Sequence, residues 1–139
     1  MAAAAKAIGS ALKRALATPE AYAILDASAA GPCTFLAGGC AILADALAQI
    51  LGGEIVAVYR ADTRRIQHYV LRRGEHYLDG DGACLRATLL RRERTLEGIP
   101  QPRLAPPAGL IGDGIVRDAA ASRALAALLA PVLAGAAQK

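Results

Sequence analysis

The sequence predicts an α+β fold in one domain, and three observations carry that prediction. A helical apolar pattern dominates the first fifty or so residues, a β-branched run begins abruptly after Gly52-Gly53, and helical periodicity returns beyond Leu85. No linker is long enough to divide these segments, and a chain of 139 residues buries enough surface for a single core without disulfides or a structural metal.

The elements follow in order. Residues 3–17 read as a helix that ends before Pro19, and Thr18-Pro19-Glu20 has the N-cap and N1 proline of a second helix reaching about Ser28. Gly31-Pro32 breaks the chain. After Leu36-Ala37-Gly38-Gly39, a strong helical pattern puts Cys40, Leu43, Ala44, Leu47 and Leu51 on one face, and Gly52-Gly53 stops it. Ile55 to Tyr59, Ile66 to Arg72 and Glu75 to Asp79 are three strands of an antiparallel meander, which Asp79-Gly80-Asp81-Gly82 ends. A charged helix runs from about Leu85 to Glu97, the Pro- and Gly-rich stretch from Ile99 to Gly114 reads as an ordered loop, and a last helix runs from about Arg117 to Leu133 with Pro131 weakening its final turn. The domain spans 1–139, with a core at about 19–98 flanked by the helices at 3–17 and 117–133.

Composition narrows the function classes. Thirty-four residues are alanine, one is phenylalanine and none is tryptophan, so much of the apolar content is small, helix-favouring side chain. The formal charge of +4 is carried by separated arginine pairs, Arg64-Arg65, Arg72-Arg73 and Arg91-Arg92, with acids between them and no interleaved aromatics. That pattern describes solvated faces, and no nucleic-acid partner is expected. Three cysteines with no CxxC spacing fit neither a disulfide framework nor a zinc knuckle, and a reduced, cytoplasmic setting is expected, with a secreted or effector role left open. Lys6, Lys13 and Arg14 interrupt the N-terminal apolar run, which reads as an amphipathic helix and not a signal peptide; no segment is expected to span a membrane.

A cysteine placed directly after two glycines at the first turn of a helix meets unpaired N–H groups and the positive end of the helix dipole, which favour a thiolate. The backbone N–H of Cys40 could also donate to an oxyanion. A hairpin loop of Arg73-Gly74, or of Arg72 to Glu75, sets His68 directly opposite Asp79, with Cβ atoms about 5 Å apart. A carboxylate there holds the imidazole in one tautomer and leaves the other ring nitrogen for a thiol. Shifting the loop to Gly74-Glu75 would set His68 opposite Asp81 instead, so Asp81 is the alternative acid.

Gly38-Gly39-Cys40-Ala41-Ile42-Leu43-Ala44, then His68-Tyr69-Val70-Leu71, then His76-Tyr77-Leu78-Asp79-Gly80-Asp81-Gly82, resemble the papain-like Cys–His–Asp superfamily. Its relatives include NlpC/P60 peptidases, transglutaminase-like proteins and arylamine N-acetyltransferases. The resemblance covers residues 31–82. It implies a papain-like domain with the nucleophile helix packed on the small meander, Cys40 as nucleophile, His68 as base and Asp79 as orienter. The implied activity is attack on an amide or acyl carbonyl of a peptide or protein, as a peptidase, amidase, deamidase or acyltransferase, with no cofactor. Ala41 stands where many relatives carry tryptophan, and Cys33-Thr34-Phe35 occupies the stretch where papain has its oxyanion glutamine. Those departures support an alternative, an inactive papain-like module that binds protein or peptide.

Other constellations fit less well. Cys40, His68, His76 and Cys84 are zinc-ligand types at scattered separations, so no metal site is expected. Asp79-Gly80-Asp81-Gly82 lacks the later acids of a calcium loop, and no phosphate-loop pattern surrounds Gly38-Gly39. Cys33 and Cys84 read as space-filling, with a redox role left open for Cys33.

Overall fold

A computed structural model describes residues 2–112 and 114–138. The first half is built as its local signals dictate. Helix α1 spans Ala2–Leu16, and α2 spans Pro19–Ala27 with Thr18 Oγ1 accepting from the Ala21 N–H at 3.3 Å. Helix α3 spans Cys40–Leu51 and stops at Gly52, whose φ is +70°. Gly53, at φ +87°, has a further role: a Cβ there would lie 2.5 Å from the Arg72 carbonyl oxygen, so only glycine lets the chain pass that strand.

Strands β1 (Glu54–Arg60), β2 (Ile66–Arg73), β3 (His76–Asp79), β4 (Gly82–Leu85) and β5 (Pro102–Ala105) form one antiparallel sheet in the order β4-β3-β2-β1-β5. The expected three-strand meander is its centre. The turn at Gly80-Asp81 does not end the sheet but folds back into β4, and part of the expected loop from Ile99 to Gly114 becomes β5, which covers the open edge of β1; residue 113 of that loop lies outside the described residues. Helix α4 (Arg86–Thr95) follows β4 directly.

Helix α5 spans Ala119–Ala137 and continues through Pro131, further than expected. Asp118 caps it by accepting from the Ala121 N–H at 3.0 Å, and its second oxygen accepts from the Ala29 N–H at 2.9 Å, tying α5 to the end of α2. By length and composition α5 is apolar enough to cross a membrane, which the sequence reading did not anticipate. In the fold, Leu125, Leu129 and Leu133 are fully buried in the protein core.

The sheet is covered on both faces. Leu71 and Leu78 join Ile8 and Leu12 of α1, Leu43 and Leu47 of α3, and the α5 leucines in the main core. Both terminal helices, expected as flanks, are thus part of that core. The alternate side chains, Val56, Val58, Val70 and Tyr77, pack with Leu89 of α4 in a smaller cluster. Because side chains alternate along a strand, His68 and Asp79 belong with this second set, at the end of the sheet where β3 stops.

Candidate active site

The segment before α3 is a tight loop that delivers Cys40. The Gly39 N–H donates to the Thr34 carbonyl at 2.9 Å, the Thr34 N–H to the Ala37 carbonyl at 3.2 Å, and the Ala37 N–H to Thr34 Oγ1 at 3.0 Å. Gly38 sits at φ +96°, and a Cβ on Gly39 would lie 2.8 Å from both Leu25 Cδ1 and the Thr34 oxygen. The Gly39 position is therefore required by packing. No side chain caps α3, so its first N–H groups, that of Cys40 included, keep their donors. The Cys40 side chain itself is buried, at 2% exposure.

His68 and Asp79 meet as expected, by a different route. The hairpin pairs Arg73 with His76, Arg72 with Tyr77 and Leu71 with Leu78, so the loop is Gly74-Glu75, with Gly74 at φ +63°. The expected Arg73-Gly74 loop is thus shifted by one residue. Continued in that register, His68 would face Asp81 across the strands, yet it is Asp79 that reaches the ring diagonally, with Oδ2 2.7 Å from His68 Nε2. Diagonal neighbours on one face are close enough for such a bond. Opposite His68, β1 and β2 slip register between Val58 and Tyr59, leaving Gln67 unpaired in a bulge at the head of β2. Asp81, the alternative acid, is displaced to the rim: it is 44% exposed and faces Lys13 Nζ at 3.3 Å and Arg92 Nη1 at 3.5 Å.

Two residues complete the pair that sequence reasoning did not single out. Arg92 Nη2 donates to Asp79 Oδ2, Nη1 to Asp79 Oδ1 at 3.3 Å, and Nη2 also to Glu93 Oε1 at 2.9 Å. Glu93 is 2% exposed, and its Oε1 lies 3.9 Å from His68 Nε2. The buried cluster sets two carboxylates against one guanidinium and one imidazole. Both residues come from α4, which looked like a solvated helix. The available signal was spacing, because Arg92 and Glu93 follow the fully buried Leu89 by three and four positions.

The electrostatics follow from these contacts. Burial pulls the His68 pKa down, but the hydrogen bond and charge of Asp79, with a further contribution from Cys40, outweigh it and raise the value to about 10. For Asp79, burial pushes upward, and the hydrogen bonds and charges of His68 and Arg92 win, holding it at about 2. Burial raises the thiols of Cys33 and Cys84. His68 Nδ1 is buried and has no hydrogen-bond partner among the described residues. No hydrogen bond joins His68 Nδ1 to the Cys40 sulfur among the described residues.

Beside His68 opens a cleft of about 280 Å³, walled by Leu36, Ala37 and Gly38 of the cysteine loop, by Gln67 of the bulge, and by Arg92, Glu93, Glu97 and Ile99. That volume is just below the range of roughly 300–1,000 Å³ typical of ligand pockets. For a metal, His68, Asp79 and Glu93 offer ligand atoms within 4.8 Å of one another. The Arg92 guanidinium bonds to oxygens of both carboxylates, the place a cation would take, so the cluster does not fit a metal. The zinc-type set is not assembled: the one metal-capable group among the described residues includes neither cysteine nor His76. The chain matches no protein-family model, no curated protein and no solved structure.

Proposed function

We propose that this chain is a papain-like thiol enzyme that attacks the amide or acyl carbonyl of a peptide or protein, with Cys40 as nucleophile, His68 as proton carrier and Asp79 as orienter. One observation carries the reading: a buried His68 gives Nε2 to Asp79 at 2.7 Å and keeps Nδ1 unpartnered, beside a cysteine at an uncapped helix start. A histidine oriented through one ring nitrogen by a carboxylate, with no partner on the second, is what a thiolate–imidazolium pair requires.

In this mechanism Cys40 and His68 act as a thiolate–imidazolium pair, the thiol proton resting on His68 before substrate arrives, and the thiolate sulfur bonds to the carbonyl carbon while the π electrons move to oxygen. The Cys40 N–H is the donor proposed for that oxyanion, and the Gln67 amide, whose Nε2 has a 3.5 Å contact to the Arg65 carbonyl, lines the cleft beside His68. Collapse breaks the carbon–nitrogen or carbon–oxygen bond, and the leaving group takes the proton from His68. Water or an amine then attacks the thioester and releases Cys40. Asp79 and Arg92 act behind the ring, where they hold its orientation and charge.

A second reading, a papain-like module that binds without chemistry, is supported by the 2% exposure of Cys40 and its absence from the cleft lining. Alkylation separates the two. With iodoacetamide over a pH series, read by peptide mass spectrometry, the enzyme reading expects Cys40 to react fastest, to do so below its free-thiol range of about pH 8.5, and to lose that advantage in His68→Ala. A Cys40 that is inert, or that titrates as a free thiol with and without His68, leaves the binding module.

A further inference from the structure

We infer that Cys33 and Cys40 are a thiol pair that hydrogen peroxide converts reversibly to a disulfide, which withdraws Cys40 from chemistry and cinches the loop that walls the cleft. The order of steps rests on the enzyme reading, which makes Cys40 the thiolate; the reach of the two sulfurs rests on the loop alone.

Cys33 and Cys40 stand at the two ends of the loop that precedes α3. The residues just inside them are joined by one bond, the Gly39 N–H to the Thr34 carbonyl at 2.9 Å, and Thr34 also bridges to Gly38. A disulfide needs Cα atoms roughly 4.4–6.8 Å apart, and a loop pinched at that point brings its ends to that scale. The Cys33 side chain folds over the pinch: a Cβ on Gly38 would lie 3.0 Å from Cys33 Cβ and 3.2 Å from its sulfur. Glycine at this position, with φ +96°, thus leaves the space that the sulfur occupies, two residues before Cys40. The thiols also feel each other: burial first, then the Asp26 carboxylate, then a charge on Cys40 raise the Cys33 thiol. Cys33 is half-buried and Cys40 buried, whereas Cys84, on β4, packs against the separate cluster that includes Leu89.

With peroxide as oxidant the steps balance. The Cys40 thiolate attacks one peroxide oxygen, the O–O bond breaks as an S–O bond forms, and the departing hydroxide leaves as water with the proton from His68. Cys33 then attacks the Cys40 sulfur; the S–S bond forms, the S–O bond breaks, and the second hydroxide leaves as water with the Cys33 proton. Two thiols and one peroxide become one disulfide and two waters. The cysteine paired with an imidazolium suits the first role, and the raised Cys33 thiol suits the second. Leu36, Ala37 and Gly38 lie between the two cysteines and wall the cleft, so closing the bridge alters the binding wall as well as the nucleophile.

The test treats the reduced full chain with hydrogen peroxide, blocks free thiols with N-ethylmaleimide and reads tryptic peptides by mass. No Lys or Arg lies between Arg14 and Arg60, so one peptide carries both cysteines. It is expected to lose two hydrogens and take no maleimide, to regain both labels after dithiothreitol, and to leave Cys84 labelled throughout. Cys33→Ser is expected to abolish the paired species and to let Cys40 pass on to the irreversible sulfinic acid. Two maleimide labels after peroxide, a disulfide that joins Cys84 instead, or sulfinic acid on Cys40 at the same rate with and without Cys33 overturns the inference. Iodoacetamide labelling of the reduced sample keeps the two readings apart. An inert Cys40 that still pairs with Cys33 removes the enzyme and keeps the thiol pair, while a reactive Cys40 that never pairs does the reverse.

Discussion

Replacing Asp79 with asparagine changes almost no volume and removes the charge on which the buried cluster turns. Asp79 accepts from His68 Nε2, from both terminal nitrogens of Arg92 and from the Asp81 N–H. Asparagine offers one oxygen to these donors and turns its own NH₂ towards another of them. Arg92 keeps Glu93, but the imidazolium loses its nearest counter-charge in a site where both side chains of the pair are 4% exposed. Breaking a buried ion pair from one side costs about 3–5 kcal/mol, which for a chain of this length lowers Tm by roughly 10–17 °C. The pH dependence has a definite sign. The folded pKa of His68, about 10, lies above its ordinary value of 6.5, so its stabilising contribution is full below the ordinary value and disappears as pH rises through the folded one. Circular dichroism melts of wild type and Asp79→Asn should therefore show the largest gap at neutral pH or below and a narrower one near about pH 10. A variant that melts within about 3 °C of wild type at pH 7, with a gap indifferent to pH, refutes the electrostatic account.

Three further predictions use other parts of the fold. Asp79 contributes in the opposite pH direction: its folded value of about 2 lies below the ordinary 3.8, so its stabilisation is present above the ordinary value and lost as pH falls through the folded one, which an acid titration of ellipticity would follow. Gly53→Ala, which places a Cβ 2.5 Å from the Arg72 carbonyl oxygen at φ +87°, should cost more than about 1 kcal/mol in urea unfolding; an unchanged midpoint would mean that the crossing of β2 is looser than described. Asp118→Ala removes the α5 cap and the tie to Ala29, and should lower stability by about 0.5–2 kcal/mol with no change in Cys40 alkylation.

The parts of the fold legible in sequence were those with strong local chemistry. Thr18-Pro19 and Gly52-Gly53 mark helix ends that the structure keeps, and the β-branched run at Ile55–Val58 became β1. Strand β4 was missed because Gly82-Ala83-Cys84-Leu85 has no β-branched residue, and β5 because it opens with proline in a turn-rich stretch. Each forms because an unpaired sheet edge needs partners, a tertiary demand that leaves no local trace. The hairpin loop was placed one residue early, since Arg73-Gly74 and Gly74-Glu75 both use the same glycine. The His68–Asp79 contact survives that shift because a carboxylate also reaches its diagonal neighbour. Arg92 and Glu93 stayed hidden in a helix whose charges all looked alike, and only the position of Leu89 distinguishes the pair that turns inward.

The meeting of α1 and α5 in one core has a consequence for how the protein is made. Ile8 and Leu12 share their hydrophobic cluster with Leu125, Leu129 and Leu133, groups more than a hundred residues apart in the chain. Contacts of such sequence separation form late, because the intervening loop must close before they are rewarded. A nascent chain has α3 and the sheet in hand while the apolar side of α1 still waits for its partner on the ribosome. Truncation before α5 would therefore leave a sticky intermediate rather than a smaller folded protein.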